Sequence, residues 1–510
     1  MTQALKVSML GRLPRPDLRD VRSASFPLRS ILFSLLLPML LAACAEAPPE
    51  VEIPTSAELL LRGVHVVDVV AGEVLRDQQV AISDGRITAV VANADGGIEA
   101  NEVIQANGRY VIPGLWDMHV HFRGGEDLIE ENRTLVPLYI AHGVTTVRDA
   151  GGDITPAILR WRDEIEAGTL TGPRILTSGP KIDGPTGGWD GSIRLTEAEQ
   201  VAAAFDSLQR MGVDYVKLYD GTTPREVFLE ALVQAERRNM IVTGHMPYSV
   251  LFEESIEGGL DATEHLYYAF KGSATNEDSV TTAIRESAGT DSPLGFWQAL
   301  SLLIPAYDEA RAREVFERMA EAGMAALPTL HIMDVLSWVD EVDHSDDPEL
   351  RYFHPAIQET YQGRIQGAIN ASERARQERR ELQRIFIDMV EPMHAAGVTI
   401  LAGSDAGPFN SHVYPGTGLH SELEALVDAG LTPAQALRGA TNHAADFMRL
   451  GDEFGQVAPG YRADLVLLNG NPLEEITNTR GIVAVILDGR RVLDSADLEA
   501  LLESIPAGWD

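Results

Sequence analysis

Six side chains spread along the middle of the chain could hold metal and move protons together: His119, His121, Lys217, His245, His265 and Asp405. The first two lie in Gly114-Leu115-Trp116-Asp117-Met118-His119-Val120-His121, directly after an apolar run and Pro113. If this stretch ends a β-strand, the period of two sends both imidazoles to one face, where they can grip one cation. With 13 histidines in 510 residues, chance supplies such a pair readily, so the other donors must carry the argument. They come as Val213-Asp214-Tyr215-Val216-Lys217-Leu218-Tyr219, Val242-Thr243-Gly244-His245, Thr263-Glu264-His265 and Leu401-Ala402-Gly403-Ser404-Asp405. Each reads as a strand that terminates in a polar group.

Positioning these ends requires a parallel sheet. Between Pro113 and about Leu450, strand-like runs at 115–121, 144–149, 173–178, 213–219, 240–245, 261–265, 324–329 and 398–404 alternate with amphipathic stretches such as Thr196 to Met211 and Pro224 to Arg238. Alternating β and α segments demand βαβ units, and this count points to an α/β protein built as a (β/α)8 TIM barrel over 113–450. In such a barrel the site lies at the C-terminal ends of the strands, where the six donors fall. Two connections, 272–305 and 333–390, exceed ordinary βα loops and are expected to frame the site.

Both ends of the chain read differently. Short β-rich runs with Asp-Gly and Asn-Gly turns fill 57–112, and the style returns within 451–510. Because the ends of a domain usually lie close together, the two are expected to form one small β-sandwich.

At this point the residues resemble the amidohydrolase superfamily, within it the imidazolonepropionase-like and prolidase-like branch. The resemblance runs from about Leu59 to Asp494. It includes Gly143-Val144-Thr145-Thr146-Val147-Arg148-Asp149, Glu422-Leu423, Ala429-Gly430-Leu431-Thr432-Pro433 and Pro459-Gly460-Tyr461-Arg462-Ala463-Asp464-Leu465. It implies that His119, His121 and Asp405 hold one metal, that His245 and His265 hold a second, and that a carboxylated Lys217 bridges them. The strand-four lysine would be surplus in the mononuclear imidazolonepropionases, so the binuclear subset is the better match.

The chemistry asks for the same set. A lysine pressed into an apolar barrel loses its proton more easily, and the neutral amine can capture carbon dioxide as a bridging carbamate. Imidazole and carboxylate ligands suit Zn2+, with manganese, cobalt and iron also compatible. Two divalent metal ions roughly 3.5 to 4 Å apart lower the pKa of a bridging water and polarise the scissile carbonyl. Asp405 is then the expected general base, delivering its proton later to the leaving amine.

Substrate residues are expected at the rim. Tyr219 shares a face with Lys217 and either contacts the substrate or packs at the barrel mouth; His420, in Gly418-Leu419-His420-Ser421-Glu422, is either a rim residue or the opening of the eighth helix. In the loop Gly184-Pro185-Thr186-Gly187-Gly188-Trp189 this chain carries Trp189 where members of the family often place a histidine. Arg148 and Asp149 are expected to tie the second strand into the barrel. His65, His142, His331, His344, His354, His394, His412 and His443 have no ligand-like setting and read as surface or packing residues.

The beginning of the chain reads as an export signal, 1–43, in which a basic flank precedes the apolar Ile31 to Ala43. The single cysteine, Cys44, follows Leu41-Ala42-Ala43 and resembles a bacterial lipoprotein box, with 44–56 as a tether. Ordinary cleavage near Ala43-Cys44-Ala45, which would release a soluble periplasmic protein, is the rival reading. Lys+Arg 41 against Asp+Glu 76 gives a net charge of −35, which repels nucleic acid and anionic lipid. The expected partners are therefore a small-molecule substrate and, through lipidated Cys44 only, a membrane; a homo-oligomer stays open.

The sequence thus predicts an exported amidohydrolase cleaving an amide or dipeptide-like bond, such as Xaa-Pro or N-acyl amino acid. A lactonase or esterase using the same metals is the alternative within enzymes. A non-catalytic metal-binding lipoprotein is the alternative outside them.

Overall fold

Eight parallel segments run in sequence around a ring in the computed structural model, which describes residues 53–95 and 97–507. The leader, Cys44 and most of the tether lie outside the described residues. Leu115–Val120 pairs with Val144–Asp149, which pairs with Arg174–Thr177. Asp214 N donates to Thr177 O at 2.9 Å, linking the third segment to the fourth, Val216–Leu218. The ladder continues through Val242–Gly244, Ala262–Glu264 and Ala325–Leu327. The eighth segment carries only isolated parallel bridges, Ala326 to Ile400 on one side and Val120 to Ala406 on the other. This α/β order is compatible with a (β/α)8 barrel: seven of the eight expected strands are found in their expected order, and 398–404, expected as the eighth, forms bridges but no strand.

Packing follows the strand period. Val216, Leu218 and Val242 face the large core shared with the surrounding helices, whereas Tyr215, Ile241, Ala262 and Leu401 join Trp116 and Met118 in a smaller core inside the ring. Lys217, two residues beyond Tyr215, therefore points inward as well. Arg148 crosses the same interior: its guanidinium donates to Met118 O at 2.7 Å, Thr243 Oγ1 at 3.2 Å and Glu264 Oε1 at 2.7 Å. Asp149 accepts from Phe122 N at 3.2 Å and Thr177 Oγ1 at 2.7 Å. Both residues knit strands together, as expected of them.

The chain ends form one eight-stranded sheet. Ser56–Asp68, Glu73–Ser83, Arg86–Ala92, Glu99–Gln105 and Tyr110–Pro113 come from one end, and Leu465–Leu468, Ile482–Leu487 and Arg491–Asp494 from the other. The join is antiparallel between Tyr110–Pro113 and Leu465–Leu468. The two long connections are helical: Glu277–Ser287 and Phe296–Leu303 in the first, Leu330–Trp338, Pro355–Ile369 and Glu373–Ala395 across the second. Among the described residues, no helix is long and apolar enough to cross a membrane.

Candidate active site

The first barrel strand ends in a pair of buried imidazoles whose Nε2 atoms lie 3.2 Å apart. The eighth segment passes so close to them that a Cβ added at Gly403 would stand 2.8 Å from the Cβ of His119, which is why glycine is required there. That approach delivers Asp405, whose Oδ1 lies 3.0 Å from His121 Nε2 and 3.6 Å from His119 Nε2. His265 completes the group, its Nε2 3.9 Å from Asp405 Oδ2. It stands just past the end of its strand with φ 63°, and Asp405 has φ 61°. Left-handed backbone at a residue other than glycine costs of order 1–3 kcal/mol and collects at functional sites.

His245 extends the cluster, its ring centroid 5.0 Å from that of His265. Its Nδ1 sits 3.1 Å from Asp220 Oδ1, while His265 Nδ1 is 2.6 Å from Thr329 Oγ1. Such bonds hold the rings so that Nε2 is presented inward. Lys217 is fully buried, and its Nζ faces Glu264 Oε2 in the ring interior. Glu264 Oε2 also lies 3.7 Å from His119 Nδ1, connecting lysine and histidines.

The electrostatics favour metal binding. Burial, reinforced by nearby cations, holds His119, His121 and His245 well below the ordinary histidine range, and His265 at about 3. These imidazoles are neutral and keep a lone pair. Burial would raise Asp405, but the charges around it, those of Arg364 and Arg123 among them, hold the carboxyl down at about 2. Burial, then Arg148 and Lys181, pushes Lys217 well below the usual amine range.

The donor set fits a divalent cation. His119, His265 and Asp405 each offer a ligand atom within 4.8 Å of the others, and His121 adjoins them. His119 Nδ1 and His121 Nδ1 are buried without hydrogen-bond partners. Neutral nitrogens and a carboxylate crowded together in this way lack a positive centre, which zinc-type metals supply.

Above the cluster lies a rim of aromatics and cations. Tyr219 stacks on His245 with centroids 4.5 Å apart, and its hydroxyl accepts from Trp189 Nε1 at 2.9 Å. Lys181 Nζ lies 4.8 Å from the Trp189 ring and 4.7 Å from the Tyr219 ring. The Arg123 guanidinium sits 4.0 Å over Trp189 and donates to Asn410 Oδ1 at 2.7 Å. Asn410 Nδ2 in turn donates to Asp405 Oδ1 at 2.6 Å. Burial, then Arg123, lowers Lys181 to about 7.

The barrel thus gathers His119, His121, Lys217, His245, His265 and Asp405, with Tyr219 and Trp189 beside them. His420 is a correction. Its Nδ1 meets Thr479 Oγ1 at 2.9 Å, between two strands of the end-built sheet, and its Nε2 meets His142 O at 3.0 Å, within the barrel, so both nitrogens are used in packing. Arg123, Lys181, Asn410, Asp220 and Glu264 were not anticipated. For Arg123 a signal existed, since it continues the alternation of His119 and His121.

A parallel barrel with histidines, a buried lysine and an aspartate at its strand ends carries a donor set of the kind that can hold metal. Residues 110–492 match the Amidohydrolase family, and the chain belongs to it. It is similar to the ochratoxinase of Aspergillus niger, with 24% identity over 79% of this chain and 80% of that protein. Among solved structures it is similar to bottromycin amidohydrolase (TM-score 0.68, 24% identity, 88% of this chain and 92% of that one). It is also similar to a Xaa-Pro dipeptidase with bound methionine (TM-score 0.63, 20% identity, 86% and 100%). Family membership supports hydrolysis of carbon–nitrogen bonds.

Proposed function

We propose that the chain is a binuclear-metal amidohydrolase that cleaves an amide or dipeptide-like bond in a small substrate carrying a carboxylate. The observation behind this reading is the convergence of four histidines and Asp405 beside a buried Lys217 whose amine is pushed well below its usual range by burial, under a rim holding Lys181 and Arg123. His119, His121 and Asp405 would hold one metal, His245 and His265 the other, with Lys217 as a carbamate between them. When bound, the metals, with zinc as the first choice, supply an acidified water and a polarised carbonyl.

The chain's own residues do the rest. Asp405 stays ionised and is oriented by Asn410, so it can receive a proton from water and return it to the departing amine. Tyr219 is fixed by Trp189 and offers its hydroxyl group at the rim. Lys181 and Arg123 provide charge for a substrate carboxylate, as found in dipeptides and N-acyl amino acids.

Export and lipid anchoring at Cys44 belong to the same reading, on the evidence of the leader alone. So does the folding of the end-built sheet into a sandwich, supported by one core that takes Val80 and Ile82 from one arm and Leu467 and Ile486 from the other. The test is a hydrolysis panel of dipeptides, N-acyl amino acids and lactones on metal-replete protein truncated before Cys44. Cleavage of carboxylate-bearing amides is the expected result; turnover confined to lactones would replace this reading with the esterase one.

A further inference from the structure

His344 and His412 belong to segments far apart in sequence, the second long connection and the loop after the eighth barrel segment. The fold stacks their rings with centroids 4.4 Å apart and planes 14° from parallel. Asp347 stands beside them, and one ligand-capable atom of each of the three lies within 4.8 Å of the other two. The sequence suggested no ligand setting for either histidine; their proximity arises only in the folded chain.

We propose that His344, Asp347 and His412 form a second binding site, peripheral to the barrel cluster, for a divalent transition-metal cation of the zinc class. The hydrogen bonding prepares the rings for it. His344 Nδ1 lies 2.9 Å from Asp347 Oδ2, which also accepts from Tyr414 OH at 2.7 Å. Tyr414 OH is itself 3.2 Å from His412 Nδ1. These contacts hold donor atoms of all three residues close together, as one shared ion would require.

The surroundings favour a cation. Asp334 and Asp343 interact electrostatically with His344, and Glu349 with Tyr414. The side chains of His344 and Asp347 are 17% and 26% exposed, so an ion can enter from solvent. The site would fasten the long connection to the loop carrying Asn410, two residues before His412, and hence to the residue that orients Asp405.

The experiment counts metal. Full-length protein is loaded with Zn2+, freed of excess and measured by elemental analysis, alongside His344→Gln and His412→Gln. Each variant should hold one equivalent less than the wild type. Its thermal midpoint should also lack the part of the Zn2+-induced rise that this site provides. In the reverse arm, a His119→Asn/His265→Asn variant, whose barrel cluster is disabled, should still retain one equivalent, and should lose it on adding His412→Gln. Equal metal content in wild type and both single variants would overturn the proposal. So would an empty barrel-site variant. Neither result touches the barrel assignment, which the reverse arm separates.

Discussion

His121 Nε2 lies 3.0 Å from Asp405 Oδ1, a contact that joins the first barrel strand to the last. Closure of the ring and assembly of the site are therefore the same event, and Asp405 is where loss of function should be sharpest. Asp405→Asn, nearly equal in volume, should lower kcat by roughly 10^2- to 10^4-fold if the carboxylate is the proton carrier. Steady-state kinetics on metal-loaded protein, with metal content checked, measures it. An unchanged kcat would remove Asp405 from its role.

Lys217 tests the second metal. Lys217→Ala should bind at least one metal fewer than the wild type and be almost inactive. Chelation should likewise abolish wild-type activity, and Zn2+ should restore it. Unaltered metal content in Lys217→Ala would leave the bridging role without support.

Lys181 gives a pH dependence of defined sign. Its folded pKa of about 7 lies below the ordinary amine value, so it loses its charge as pH rises through 7. KM for a carboxylate-bearing substrate should therefore climb above pH 7. Lys181→Arg should flatten the climb, because a guanidinium stays protonated. Lys181→Met should raise that KM about 10- to 100-fold, the range of a lost charged hydrogen bond. KM for the matching neutral amide should hardly move.

Glu422 supplies a stability test. Burial raises this carboxyl from 4.5 to about 8, while Oε2 accepts from His331 N at 2.8 Å. The folded chain binds a proton that the unfolded chain releases. This contribution is complete below about 4.5 and is lost as pH rises through about 8. Glu422→Gln keeps an acceptor without the ionisation, so its thermal midpoint should gain on the wild type between pH 5 and pH 9. A constant difference across that range would contradict the assignment.

His420→Ala should lose stability and keep KM. The substitution removes both links to Thr479 and His142, at about 1–3 kcal/mol for the buried groups left unpaired. Denaturant unfolding and KM on one preparation separate this from a rim role.

Much of the barrel was legible because its strands are continuous apolar runs, and the donors fall at their ends. Lys217 follows the inward face of Tyr215 by simple alternation, and Asp405 follows Leu401 and Gly403. The same alternation should have drawn attention to Glu264, which shares its face with Ala262. His265 reaches the site only through its left-handed backbone, which no periodicity reveals. Arg123, Lys181 and Asn410 meet through loops that approach in three dimensions alone. His344 and His412 escaped notice for the same reason, since their pairing depends on how a long connection packs.

The sheet made from both ends also orders events during synthesis. Tyr110–Pro113 is complete early, yet its partner Leu465–Leu468 leaves the ribosome only after the whole barrel has been made. Until then a strand edge of the first arm stays open, exposed to wrong pairing with other chains. Arg86 waits similarly for Glu453, 2.5 Å away in the finished fold. Such distant contacts make for slow folding. The nascent chain is thus most vulnerable late, and deletion of the last strands should harm assembly well before it harms any residue of the site.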